Sequence, residues 1–172
     1  SLSLDQCECI RVAGTIHDVG KISIPTEILS KPSALSALEY EMIKDHSRIG
    51  YEILKGIEFP WPIAPIIYQH HERMDGSGYP HGRKGPQISI EARVLGVADV
   101  VEAMVSHRPY RSAFTEAEAI AEILNLIDSS AEKNILQSLE AEDAELAAQI
   151  KNMMFVFDDL VLLDDRSIQR VL

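Results

Sequence analysis

The chain has 172 residues, 46% of them hydrophobic, and a formal net charge of -11. That length and apolar content can bury one substantial core, which excludes a disordered tail, and the acidity excludes nonspecific binding to nucleic acid or anionic membranes, both of which need a basic face. No apolar run approaches the ~20 residues of a membrane span and the first residues lack a signal-peptide pattern, so a cytoplasmic protein is expected.

In chain order, Ile10, Ala13 and Ile16 predict a first helix. On it Cys7 and Cys9 lie two apart, point to different sides and read as reduced thiols. Ser36 followed by Glu39 is a capping box, and the run Met42, Ile43, Ile49, Ile53 and Leu54 continues with helical spacing. Pro62 suits the first turn of a helix carrying Ile63, Ile66 and Ile67 and ending at His70-His71. Asp75-Gly-Ser-Gly-Tyr-Pro80 is all turn chemistry, leading to a helix near 89–105. Thr115 and Glu118 repeat the capping box ahead of the stripe Ile120, Ile123, Leu124 and Ile127, with further helices near 131–139, 143–154 and 165–172. Strand signals are weak throughout, so an all-α fold is expected.

Composition divides the chain. All nine glycines, eight prolines and six histidines precede residue 110. Residues 1–115 hold 12 basic and 14 acidic side chains, and 116–172 hold 4 and 13, so nearly all of the net charge lies in the second part. A turn-rich part that builds a site, 1–115, is expected to precede an acidic helical part, 116–172, that builds none.

The chemistry-bearing residues are His17-Asp18, His46, His70-His71 and Asp99, six side chains in four separate segments. Mixed imidazole and carboxylate donors suit iron, manganese, zinc or nickel, and the lack of nearby cysteine disfavours structural zinc. Adjacent histidines on a helix diverge by about 100°, so two neighbouring ions suit His70-His71 better than one. Asp18 can bridge two ions, and a hydroxide held between them would be an in-line nucleophile toward a phosphodiester. His81 and His107 read as solvated loop residues.

The motifs His17-Asp-Val-Gly-Lys21, Pro25, Lys31-Pro32, His46-Ser-Arg-Ile-Gly50, His70-His-Glu-Arg-Met-Asp-Gly-Ser-Gly-Tyr-Pro80, Val97-Ala-Asp99 and Arg108-Pro-Tyr-Arg111 resemble the HD-GYP signature in order and spacing, over about residues 2–120. The resemblance implies an HD-type helical bundle with two or three divalent ions, iron or manganese, that hydrolyses cyclic di-GMP to the linear dinucleotide or to GMP through a metal-activated hydroxide. It implies His17, Asp18, His46, His70, His71 and Asp99 as metal ligands and Asp18 and Lys21 as catalytic residues, with the Lys21 ammonium on a phosphate oxygen. Asp75, Gly78, Tyr79 and Pro80 would shape the substrate pocket, with Tyr79 against a guanine, or would form only a tight connector. Arg108 and Arg111 would bind substrate phosphate or would tie the last helix to the core. The family's first helix, source of a further Glu or His ligand, is expected to lie outside these residues. Glu8, ~13 Å along the helix axis from His17, is a poor substitute.

From about residue 119 the chain resembles a second family. Ile123-Leu-Asn-Leu-Ile-Asp128, Ile135-Leu-Gln-Ser-Leu139, Asp143-Ala-Glu-Leu-Ala147 and the run from Met154 to Leu172 look like the middle domain of the flagellar motor switch protein FliG, a helical scaffold that packs on rotor proteins. Two readings follow. One is a cyclic di-GMP phosphodiesterase with an appended motor-type segment. The other is a non-catalytic rotor scaffold, or a chimeric chain, with a degenerate HD-GYP half. Exposed apolar helix faces would favour a homo-oligomer.

Overall fold

A computed structural model describes the backbone of residues 2–106 and 113–162, with side chains as far as Met154. The described residues are helices and connectors without a strand, as the weak strand signals predict. They fall into two compact units, Ser1–Val100 and Val101–Leu172. The compositional step near residue 115 falls inside the second unit.

In the first unit α1, Leu4–Ile16, starts at a capping box in which the Ser3 hydroxyl accepts from Gln6 N–H and the Gln6 side chain accepts from Ser3 N–H. Cys9 and Ala13 turn its inner face to the core while Cys7 is exposed, and both cysteines are free thiols. A 3₁₀ turn, Val19–Ser23, and a single turn α2, Thr26–Leu29, lead to α3, Ala37–Lys44, which begins at the expected Ser36–Glu39 box. Then come α4, His46–Leu54, α5, Ile63–Gln69, and α6, Ile90–Val105. Buried Leu54, Ile63, Ile66, Ile67, Ala92 and Leu95 join Cys9 and Ala13 in one apolar cluster. The α4 helix packs against both α5 and the 3₁₀ turn.

The apolar spacing from Met42 to Leu54 reads as one helix, but the structure breaks it at Asp45. There the backbone N–H turns back to the Ile43 carbonyl, and the carboxylate takes both Arg48 donors at 2.6 and 2.7 Å. Ending α3 one residue earlier makes His46 the first residue of a new helix and lets it face inward.

In the second unit Thr115 caps α7, Glu116–Leu124, and Asp128 caps α8, Ser129–Glu142, by accepting from Ser130 and Ala131 N–H at 3.0 Å each. The last described helix is α9, Ala144–Leu162. Ala117, Ala121, Leu124, Leu136 and Ile150 form its core, with Ile120 and Ile127 of the expected stripe packed beside them. The helix expected over 165–172 lies outside the described residues. Among the described residues no helix is long and apolar enough to cross a membrane.

Candidate metal centre

The six expected donors come together within the first unit, and three helix ends bring them there. His17 follows the last residue of α1, His46 follows the end of α3 and opens α4, and His70 follows the last residue of α5. Each ring makes the same local bond three residues back. Nδ1 of His17 lies 2.8 Å from the Gly14 carbonyl, Nδ1 of His46 2.6 Å from Ile43 and Nδ1 of His70 2.6 Å from Ile67. A carbonyl only accepts, so each Nδ1 carries the proton and each Nε2 presents a lone pair.

Those lone pairs converge. His46 Nε2 is 3.4 Å from His70 Nε2 and 3.2 Å from His71 Nε2, and the three residues offer ring nitrogens within 4.8 Å of one another. With the proton on Nδ1 of both His46 and His70, their Nε2 atoms cannot hydrogen bond to each other, and at this separation they repel unless a cation lies between them. Protons do not supply it at neutral pH. Burial lowers the affinity of all three rings for a proton, to a pKa of about 4 at His70, and at His71 the neighbouring His70 adds to the effect. The donor set therefore fits a divalent metal ion.

Carboxylates complete the arrangement. Asp99 Oδ1 is 3.4 Å from His17 Nε2 and Asp99 Oδ2 is 3.8 Å from His71 Nδ1. The nearby His17 ring holds the Asp99 carboxyl well below the usual carboxylate range, and Asp99 raises the pKa of His17 in return. Asp18 faces both ways, with Oδ1 3.7 Å from His46 Nε2 and Oδ2 3.6 Å from His17 Nε2. His17 Nε2 and Asp18 Oδ1 are buried and have no hydrogen-bond partner, which a bound cation would supply. Three helix C-termini also end here, and their partial negative charge favours a cation. Glu8 pairs with Arg11 at 2.6 Å on an exposed part of α1.

The other expected residues divide. Lys21 Nζ sits 2.6 Å from Asp18 Oδ2, beside the cluster. Asp75 is exposed and turns its carboxylate into its own loop, accepting from Ser77 N–H and Oγ at 2.9 and 2.7 Å. Pro80 is exposed. Gly78 packs so closely that a Cβ there would lie 2.4 Å from the His71 carbonyl oxygen. Tyr79 N–H donates to that same oxygen at 3.1 Å, and the Tyr79 ring stacks on the His71 ring with centroids 4.7 Å apart. Lys44 Nζ lies 5.7 Å from the Tyr79 ring centre and 5.3 Å from that of Tyr40. Arg108, Arg111 and His107 lie outside the described residues. His81, read as a solvated loop residue, is exposed but rests edge-on against Tyr68 with centroids 5.0 Å apart.

Sequence reasoning passed over Glu72 and Ser47. Glu72 is 8% exposed and its carboxylate accepts from His81 and Arg83 N–H, each at 2.8 Å. Ser47 is fully buried and its hydroxyl donates to the Lys44 carbonyl at 3.2 Å. A charged residue sandwiched between two ligands and a turn-rich loop was the available signal for Glu72; nothing in the pattern marked Ser47.

A bundle whose helix ends gather four histidines and Asp18 beside Asp99 of α6 is the architecture of a metal-binding helical domain. The HD domain family matches residues 1–150, and the chain belongs to that family. Over 122 residues, 70% of this chain and 32% of the relative, it is 47% identical to the cyclic di-GMP phosphodiesterase response regulator RpfG of Xanthomonas campestris pv. campestris. Over 119 residues, 68% of this chain and 32% of the relative, it is 45% identical to a cyclic di-GMP phosphodiesterase of Thermotoga maritima. It is 34% identical over 126 residues, 73% of this chain and 28% of the relative, to the 3'3'-cGAMP-specific phosphodiesterase 1 of Vibrio cholerae. The chain thus spans about a third of the length of these curated relatives. The FliG C-terminal domain family matches residues 137–172, where the sequence motifs suggested that protein's middle domain from about 119.

Proposed function

We infer that the chain is a metal-dependent phosphodiesterase acting on cyclic di-GMP. The observation that carries this is the convergence of His46, His70 and His71 ring nitrogens beside Asp18, Asp99 and His17. Relatives named for cleavage of cyclic dinucleotides support the substrate class. His17, Asp18, His46, His70, His71 and Asp99 would hold two or three divalent ions, iron or manganese, which would supply Lewis-acid activation of water toward phosphorus. Asp18, with one carboxylate oxygen toward His46 and the other toward His17 and Lys21, is the residue we assign to bridging two ions. Lys21 is close enough to the cluster to trade its contact with Asp18 for a phosphate oxygen and to stabilise the charge that grows there during attack. Asp75, Gly78, Tyr79 and Pro80 would form one wall of the substrate pocket, and Arg108 and Arg111 would bind phosphate. A bacterial cytoplasm is the compartment this substrate implies, and exposed Leu4, Ile22, Leu38 and Leu126 favour a homo-oligomer.

The test is a metal count on purified protein followed by an assay of cyclic di-GMP cleavage, with 3'3'-cGAMP as the competing substrate. Two or three ions per chain and cleavage abolished by Asp18→Ala are expected. Equal rates for wild type, His17→Ala and Asp18→Ala would overturn the reading. The FliG likeness over 137–172 favours a second role for that segment, contact with flagellar rotor proteins, which co-purification with rotor components checks.

A further inference from the structure

The loop that follows His70-His71 is closed on itself before it reaches α6. Gly76 N–H donates to the Arg73 carbonyl at 2.8 Å, Gly85 N–H to the Met74 carbonyl at 3.1 Å, and Tyr79 N–H to the His71 carbonyl at 3.1 Å. One buried side chain ties its far limb to its root. Glu72, the residue after His71, sends Oε1 to His81 N–H and Oε2 to Arg83 N–H, both at 2.8 Å. Carboxylate bonds to backbone N–H are among the strong ones in a protein, and breaking one in a buried setting leaves a polar group stranded. The segment between these anchors contains Tyr79, whose ring lies on His71 at an interplanar angle of 28°. Among the described residues the His81 ring also rests edge-on against Tyr68 of α5, but the hydrogen bonds that tie the 81–83 limb back to the helix end carrying the histidines come from Glu72.

We propose that Glu72 is a positioning residue: its carboxylate latches the 75–83 loop so that Tyr79 stays stacked on His71, fixing both that imidazole and the wall of the pocket against which a cyclic dinucleotide lies. The latch itself stands on the loop geometry; only its kinetic consequence rests on the phosphodiesterase reading. Glu72 acts through Tyr79 and touches neither substrate nor ion. An amide in its place offers one acceptor oxygen and turns an N–H₂ donor toward the other backbone N–H, so Glu72→Gln breaks one of the two bonds at constant size.

The experiment uses the full chain. In wild type, amide hydrogen exchange is expected to show His81 and Arg83 protected well beyond Ser77, with manganese or without it. In Glu72→Gln, trypsin cleavage after Arg73, Arg83 and Lys84 is expected to speed up about tenfold, the loss of one charged hydrogen bond, while the manganese count stays at the wild-type value. Kinetically, Glu72→Gln and Tyr79→Ala should each raise KM for cyclic di-GMP, and the double variant should be no worse than Tyr79→Ala alone, because both act through one contact. Unprotected His81 and Arg83 amides in wild type, unchanged trypsin cleavage in Glu72→Gln, or an additive double variant would overturn the proposal. Should wild type fail to cleave cyclic di-GMP, the functional reading fails while exchange and trypsin still decide the latch.

Discussion

Gly20 leaves no room for a methyl group, since a Cβ there would lie 1.9 Å from the His46 carbonyl oxygen and 2.6 Å from Gly50 N. Two backbones touch where α4 meets the 3₁₀ turn, and that contact sets the depth at which His46 enters the cluster. Gly20→Ala is therefore expected to cost about 1–3 kcal/mol of stability, the usual range for overpacking a tight site. Because the displaced atoms belong to His46, one of the proposed ligands, bound manganese should fall with it. Urea unfolding and a metal count check both, and a variant with wild-type stability and full metal would contradict this account of the contact. At this scale the sequence singled out His46, His70 and His71, whose ring nitrogens the structure brings together, by the recurrence of imidazole beside glycine and small apolar residues. The position of Glu72 beside His71 could have drawn notice, but its role could not be read, since its partners are backbone N–H groups nine and eleven residues on, and any residue type supplies those.

Helix starts were legible for a related reason: Ser36 with Glu39 and Thr115 with Glu118 announce caps by residue type, and both form. The break between α3 and α4 was hidden, because apolar spacing runs through Asp45 without a phase change and the choice to stop rests on tertiary demand for His46. The α3 cap carries a pH signature. Glu39 accepts from Lys31 Nζ at 2.7 and 2.9 Å and from Ser36 N–H at 2.7 Å, and Lys31 first, then Ser36, lowers its pKa to about 2. A carboxyl whose pKa is depressed on folding contributes stability that is complete above its unfolded value, near 4.5, and is lost as pH falls through about 2. Glu39→Gln should flatten the decline of stability over that window while leaving behaviour above pH ~5 unchanged in slope. Denaturant unfolding at stepped pH measures it, and an identical acid slope in the variant would show that the pair adds nothing.

For the molecule as a whole, metal and folding are linked. An ion that binds the native centre but not the unfolded chain stabilises by about 2.7 kcal/mol when its free concentration is a hundredfold above Kd. Manganese should raise the resistance of the chain to denaturant, and chelator should lower it. Hydrogen exchange should place the gain in α1, α4 and α5, whose ends carry the proposed histidine ligands, with α7 to α9 changing little. Equal metal effects in both sets would argue that the ion binds elsewhere. In the sequence, glycine, proline and histidine vanish and acidic residues dominate from near residue 110, whereas the compact units of the structure divide after Val100, within α6. Composition tracks which residues build a site, while compactness tracks which helices share a core, and a helix that serves both blurs the border.

The bond that the imidazoles of His17, His46 and His70 each make to the carbonyl three residues behind is local to its own turn of chain. For these three rings aim is thus settled separately at each position, whereas the His71 ring lies against Tyr79. Losing one would blunt the cluster by a single tooth, with the remaining rings still pointing inward and ready for whichever first-row ion the cell supplies.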